Sequence, residues 1–137
     1  MTALLDINVI LDVLLARPPW VTHSQALWQA CDEARLGGHI AAASLPTIFY
    51  LVRRSAGVHK ALDAVKVCLD AFQVCPVTTE SLRLATTLPG SDFEDNLQIA
   101  CATLAGLDAI ITRDPRGFTG SKVPVMTPAE LLHHLAL

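Results

Sequence analysis

The stretch Ala3-Leu4-Leu5-Asp6-Ile7-Asn8-Val9-Ile10 decides how the rest of the chain is read. A short apolar run that ends on a carboxylate has the composition of a strand buried on both faces, as in a parallel sheet. Asp6 interrupts residues that are otherwise of core type, so a solvent-facing role does not account for it. The C-terminal end of a parallel strand is where such sheets place their chemistry. From about Asn8 to Ala16 the pattern turns helical, and Arg17-Pro18-Pro19 stops it.

Further along, short apolar strands keep alternating with helical patterns, which predicts an α/β fold with a mainly parallel sheet. Thr22 and Gln25 read as a capping box opening a helix to Leu36, before Gly37-Gly38. A strand follows at His39–Ala42, and Ser44 opens a helix that carries Pro46 in its first turn and ends at Gly57. His59–Ala71 has the helical stripe Ala61, Leu62, Val65 and Leu69. Gln73–Val77 reads as a strand and Thr79–Leu88 as a helix; another helix opens near Ser91 or Asp92 and runs to Ala105. Strands at Asp108–Thr112 and Val123–Met126 come next. Thr127, Pro128 and Glu130 then mark a capped last helix. No repeat or linker divides the chain, so residues 1–137 are read as a single domain.

Hydrophobic residues make up 52% and charged residues 17% of the 137, which excludes a disordered chain. With 10 Lys and Arg against 13 Asp and Glu, the net charge of −3 excludes a grip on nucleic acid by bulk charge, but leaves room for a local basic path. Mean hydropathy is +0.44. Even so, Asp6, Asn8 and Asp12 punctuate the first apolar run and Pro46 breaks Ile40–Val52, so neither a signal peptide nor a span of about 20 apolar residues is expected. The chain is therefore read as soluble and cytoplasmic, with no membrane partner. Cys31, Cys68, Cys75 and Cys101 lack metal-site or redox spacing and read as small buried thiols.

The segment Ser91-Asp92-Phe93-Glu94-Asp95 puts three acids at a helix start, and Asp92 and Asp95 share a face that Gln98 extends by another turn. Asp114 lies two residues past Thr112 at a strand end. The helix macrodipole accounts for the first group alone and a turn before Pro115 for Asp114 alone; their combination with Asp6 is what points to chemistry. Carboxylates that converge on one cleft repel one another unless a divalent cation joins them, and oxygen-only ligands favour Mg²⁺ or Mn²⁺. Arg113 and Arg116, beside Asp114, are candidates to hold phosphates, whereas Arg53, Arg54 and Lys60 read as a solvated face. The histidines have no metal spacing, and no serine sits in a nucleophile's context.

Three segments in order resemble the PIN domain: Leu4-Leu5-Asp6-Ile7-Asn8-Val9, Asp92-Phe93-Glu94-Asp95-Asn96-Leu97-Gln98, and Ile110-Ile111-Thr112-Arg113-Asp114. The closing Pro124-Val125-Met126-Thr127-Pro128-Ala129-Glu130-Leu131 is similar to a bacterial branch of that family. The resemblance implies a three-layer α/β/α fold and a Mg²⁺- or Mn²⁺-dependent endoribonuclease that hydrolyses RNA phosphodiester bonds. For many small prokaryotic members it also implies the toxin role of a VapBC-type toxin–antitoxin pair: a homodimer neutralised by an antitoxin protein. Carried over, the catalytic group is Asp6, Asp92, Glu94, Asp95 and Asp114, with Asp6, Asp95 and Asp114 as metal ligands. Asn8 and Thr112 would orient ligands or substrate. The chain departs from the family pattern at Tyr50, which stands where many members carry Glu, and at Arg116-Gly117-Phe118, which lacks a second acid. A PIN-like module that binds RNA or protein without cleaving is the alternative. A haloacid-dehalogenase-type phosphatase fits less well, because Asn8 stands in place of the second acid of its Asp-x-Asp motif.

Overall fold

A computed structural model describes residues 1–136. Five strands, β1 (Thr2–Leu5), β2 (Gly37–Ala41), β3 (Gln73–Cys75), β4 (Ala109–Ile111) and β5 (Val125–Met126), form one sheet. Its order is β3-β2-β1-β4-β5 and every pairing is parallel. The helices are α1 (Ile7–Leu14), α2 (Val21–Asp32), α3 (Ser44–Ala56), α4 (Val58–Ala71), α5 (Thr79–Thr87), α6 (Phe93–Leu104) and α7 (Pro128–His134), with a 3-10 turn at Pro115–Phe118.

The pleat sorts the strand side chains into two cores. Ala3, Leu5, Ile40, Ala109 and Ile111 pack with residues of α1 to α4 and α7, among them Ile10, Leu27, Ile48, Ala61 and Leu131. Leu4, Ala41 and Ile110 pack on the opposite face with Ala85 of α5 and with Ala100 and Cys101 of α6. This is the α/β/α arrangement, and it explains why the strands read as unbroken apolar runs. The connection from β1 leads to β2 on one side, while β4 pairs with β1 on the other, so a crevice opens at the C-terminal ends of β1 and β4.

Several sequence expectations need correction at the boundaries. Thr22 does not cap α2: the helix starts at Val21 after Trp20, which makes no side-chain cap. The preceding turn already feeds the helix, because Val21 N–H donates to Arg17 O and Ser24 N–H to Trp20 O. The same helix stops at Asp32, where Ala34 adopts a positive φ of 57° and Arg35 N–H turns back to Ala30 O. Pro76 ends β3 and Pro124 delays β5, since neither can donate to a ladder. The reciprocal cap of Thr78 and Ser81 on α5 was not read from sequence, whereas Thr127 and Glu130 form the expected box on α7. The cysteines are free, and burial pushes the Cys31, Cys68 and Cys75 thiols up to about 11. Among the described residues no helix is long and apolar enough to cross a membrane.

Candidate metal-binding cleft

Asp6 follows β1 directly and caps α1. Leu5 lies opposite Ile111 in the ladder, and the Asp6 N–H donates to Ile111 O at 2.9 Å, so the carboxylate is fixed beside the exit of β4. Its Oδ1 accepts from Ile7 N–H at 2.8 Å and from Gln98 Nε2 at 2.9 Å, while Oδ2 accepts from Thr112 Oγ1 at 2.8 Å. The carboxylate is only 6% exposed, and these three donors fix its orientation. Thr112 also accepts the Asp114 N–H at 3.1 Å, which ties the two strand ends together.

The start of α6 supplies the second group. Asp92 caps this helix by accepting the Asp95 N–H at 3.0 Å, leaving Glu94 and Asp95 in the first turn. Asp6, Asn8, Thr47, Asp92, Glu94, Asp95, Gln98, Thr112, Asp114 and Gly117 all line one cleft of about 230 Å³. The sequence-predicted carboxylates therefore converge. Burial first, then Asp92, Asp6, Glu94 and Asp114, pushes the Asp95 carboxyl up to about 7. Glu94 is likewise raised, mainly by burial, with Asp92 and Asp6 adding to the shift and the Thr47 hydroxyl opposing it. Asp114 is instead lowered by its exposed partner Arg116, whose Nε lies 3.0 Å from Asp114 Oδ1. Gly117 gives the 3-10 turn its close approach: a Cβ there would lie 2.7 Å from Asp95 Oδ2.

The two arginines expected at the phosphates are placed differently from the acids. Neither lines the cleft. Arg113 turns back onto α1, where its Nε lies 2.8 Å from Asp12 Oδ2, and its guanidinium stacks 3.9 Å from the Trp20 ring. Asp12 also pairs with Arg17 at 3.0 Å and is wholly buried. Tyr50 points away from the cleft at 57% exposure, with Arg54 5.9 Å from its ring, and Thr47 is the α3 residue that faces the acids.

The donor set suits a hard divalent cation: oxygen atoms only, clustered negative charge, and buried Glu94 Oε1 and Gln98 Oε1 without hydrogen-bond partners. Among the described residues, no group of three His, Cys, Asp or Glu side chains is already drawn together around a single ion position. Gln98 and Thr47 are polar site residues that sequence reading left outside the candidate set, although the spacing of Gln98 from Asp95 placed it on the same face.

A strand-end acid facing a helix-borne acidic cluster across a parallel sheet defines a class of acidic-cleft α/β protein. A family model for the PIN domain matches residues 2–116, and the chain belongs to that family. No curated protein matches the sequence significantly. Among solved structures, FitAcB from Neisseria gonorrhoeae has a TM-score of 0.72 at 18% identity, covering 93% of this chain and 98% of its own. DNA-bound VapBC from Salmonella typhimurium has a TM-score of 0.71 at 16% identity, covering 93% and 98%. VapC20 of Mycobacterium tuberculosis, a Sarcin-Ricin loop cleaving toxin, has a TM-score of 0.69 at 16% identity, covering 82% and 90%. At these identities the likeness is one of fold.

Proposed function

We propose that this chain is a divalent-cation-dependent ribonuclease of the toxin type, active on RNA phosphodiester bonds and held in check by an antitoxin protein. The observation that carries the reading is the convergence of Asp6, Asp92, Glu94, Asp95 and Asp114 on one cleft. The similar structures that are toxin–antitoxin complexes support the partner, and the toxin that cleaves a Sarcin-Ricin loop supports the substrate class. A homodimer and a cytoplasmic setting belong to the same reading.

Asp6, Asp95 and Asp114 would hold Mg²⁺ or Mn²⁺. A bound cation supplies charge neutralisation at the phosphodiester and a bound water of lowered pKa. Thr112 holds Asp6 at a fixed angle. Glu94, whose carboxyl is raised mainly by burial, would serve as a proton acceptor of the cleft. Asp92 fixes the first turn of α6, so Glu94 and Asp95 keep a constant spacing. Asn8, exposed at the rim, meets the substrate, and the exposed Arg116 reaches RNA phosphates there.

The outward-facing Tyr50 favours a second reading, a PIN-like module that binds RNA or protein without cleaving. The discriminating experiment offers structured and single-stranded RNA to purified protein with Mn²⁺, Mg²⁺ or EDTA, beside Asp6→Asn and Asp95→Asn. Metal-dependent cleavage lost in both variants is the expected result. No cleavage by the wild type, together with no Mn²⁺ binding in calorimetry, would establish the binding module instead.

A further inference from the structure

Gln98 lies three residues after Asp95 and four after Glu94 on α6, so it shares their face, and it is only 2% exposed. A primary amide buried this deeply carries a donor end and an acceptor end, and both need partners. Its Nε2 is satisfied by Asp6 Oδ1 at 2.9 Å. Its Oε1 has no partner, although the residue lines the cleft. The opposite amide orientation would set two acceptors 2.9 Å apart, because an ionised Asp6 can only accept. Once ionised, as a bound cation requires of them, the carboxylates of Glu94 and Asp95 on the same helix face are acceptors as well. The orphaned oxygen then faces an acidic wall that offers it no hydrogen.

We infer that Gln98 is a two-ended positioning residue of the cleft: Nε2 locks the Asp6 carboxylate, and Oε1 accepts a hydrogen from a water in the hydration shell of a bound divalent cation. The inference rests on the cation-dependent reading of the site and extends it to a residue that carries no charge. Hydration water of a divalent cation is strongly polarised and suits a lone amide oxygen. Neutrality matters as well. A carboxylate at residue 98 would lose the donor to Asp6 and add a further negative charge to a cleft already crowded with them.

The test is calorimetric titration of the full chain with Mn²⁺, wild type beside Gln98→Leu, with thermal melts in EDTA run in parallel. In the variant, Mn²⁺ affinity should fall about 10- to 100-fold, the range found when partners that orient metal ligands are removed. Its cation-free melting temperature should move little, since the unpartnered buried oxygen goes together with one of the three donors that hold Asp6. The Mn²⁺ concentration needed for half-maximal RNA cleavage should rise with the loss of affinity. If Gln98→Leu does not fold, the unbranched Gln98→Met takes its place. Mn²⁺ affinity within twofold of wild type overturns the inference and leaves the nuclease reading standing, as does a lowered melting temperature with unmoved affinity. A wild type that neither binds Mn²⁺ nor cleaves RNA overturns both.

Discussion

Replacing Arg113 with Met should cost stability, because the guanidinium serves a buried charge. Asp12 is 0% exposed, and its two partners, Arg113 and Arg17, are 21% and 36% exposed. Burial pushes the Asp12 carboxyl up, while Arg113 and then Arg17 pull it back. Removing one partner of a buried pair costs about 3–5 kcal/mol when nothing else compensates. Arg17 remains within 3.0 Å, so the expected loss is lower, about 2–3 kcal/mol, part of it from the stacking on Trp20. With an m value of about 2 kcal/mol per M of urea, the unfolding midpoint should fall by about 1–1.5 M. Asp12→Leu should destabilise by a similar amount. The double variant should recover much of either loss, because a well-packed apolar replacement of a buried ion pair is often near neutral. Urea unfolding followed by circular dichroism on all four proteins closes the double-mutant cycle. A midpoint shift below about 0.3 M for Arg113→Met, or strictly additive losses, would refute the reasoning.

Three further outcomes follow from the cleft and the core. Asp95 is raised to about 7 in the folded chain, against an ordinary value of about 3.9 for the unfolded one. Between those values the folded chain holds the extra proton, so cation-free stability should fall as pH rises from about 4 to 7. Thermal melts in EDTA at pH 5 and 7.5 should show this loss, and Asp95→Asn should remove it; a wild type that gains stability over that interval contradicts the assignment. Gly117→Ala would place a Cβ 2.7 Å from Asp95 Oδ2. Displacing that carboxylate should weaken Mn²⁺ binding by about tenfold or more, read by calorimetry. Gly38→Ala would drive a Cβ to 2.6 Å from Cys31 Sγ and 2.9 Å from Phe72 Cδ1, so urea unfolding should show a loss of about 1–3 kcal/mol.

Much of this molecule was legible without coordinates. The alternation of short apolar runs with helical stripes announced a parallel sheet, because a strand covered by helices on both faces has no polar side to display. Asp6 was legible for a related reason: a charge that ends a core-type strand run stands where a parallel sheet places its chemistry. The acids of α6 and Asp114 could be attached to it through their positions at a helix start and a strand end. Helix starts that depend on local side chains, such as Thr127 with Glu130, were also readable. The start of α2 was not, because a turn through Pro18 to Trp20 hands its own carbonyls to the helix and makes Thr22 redundant as a cap.

By itself, then, the sequence determined the parallel α/β class and the set of acids, since both follow from local pattern and from where a parallel sheet exposes its strand ends. Only the tertiary structure decided how the remaining polar residues are divided. Arg113 and Asp114 are adjacent in the chain, yet one is spent on the buried Asp12 while the other faces the cleft. Tyr50 and Thr47 lie one helical turn apart, yet only Thr47 meets the acids. Gln98 looked like an extension of an acidic face and became the donor that holds Asp6 from 92 residues away. Hydrogen-bond partners at that separation are set by the register of β1 with β4 and by the packing of α6 across them, and neither is encoded in any local window of residues.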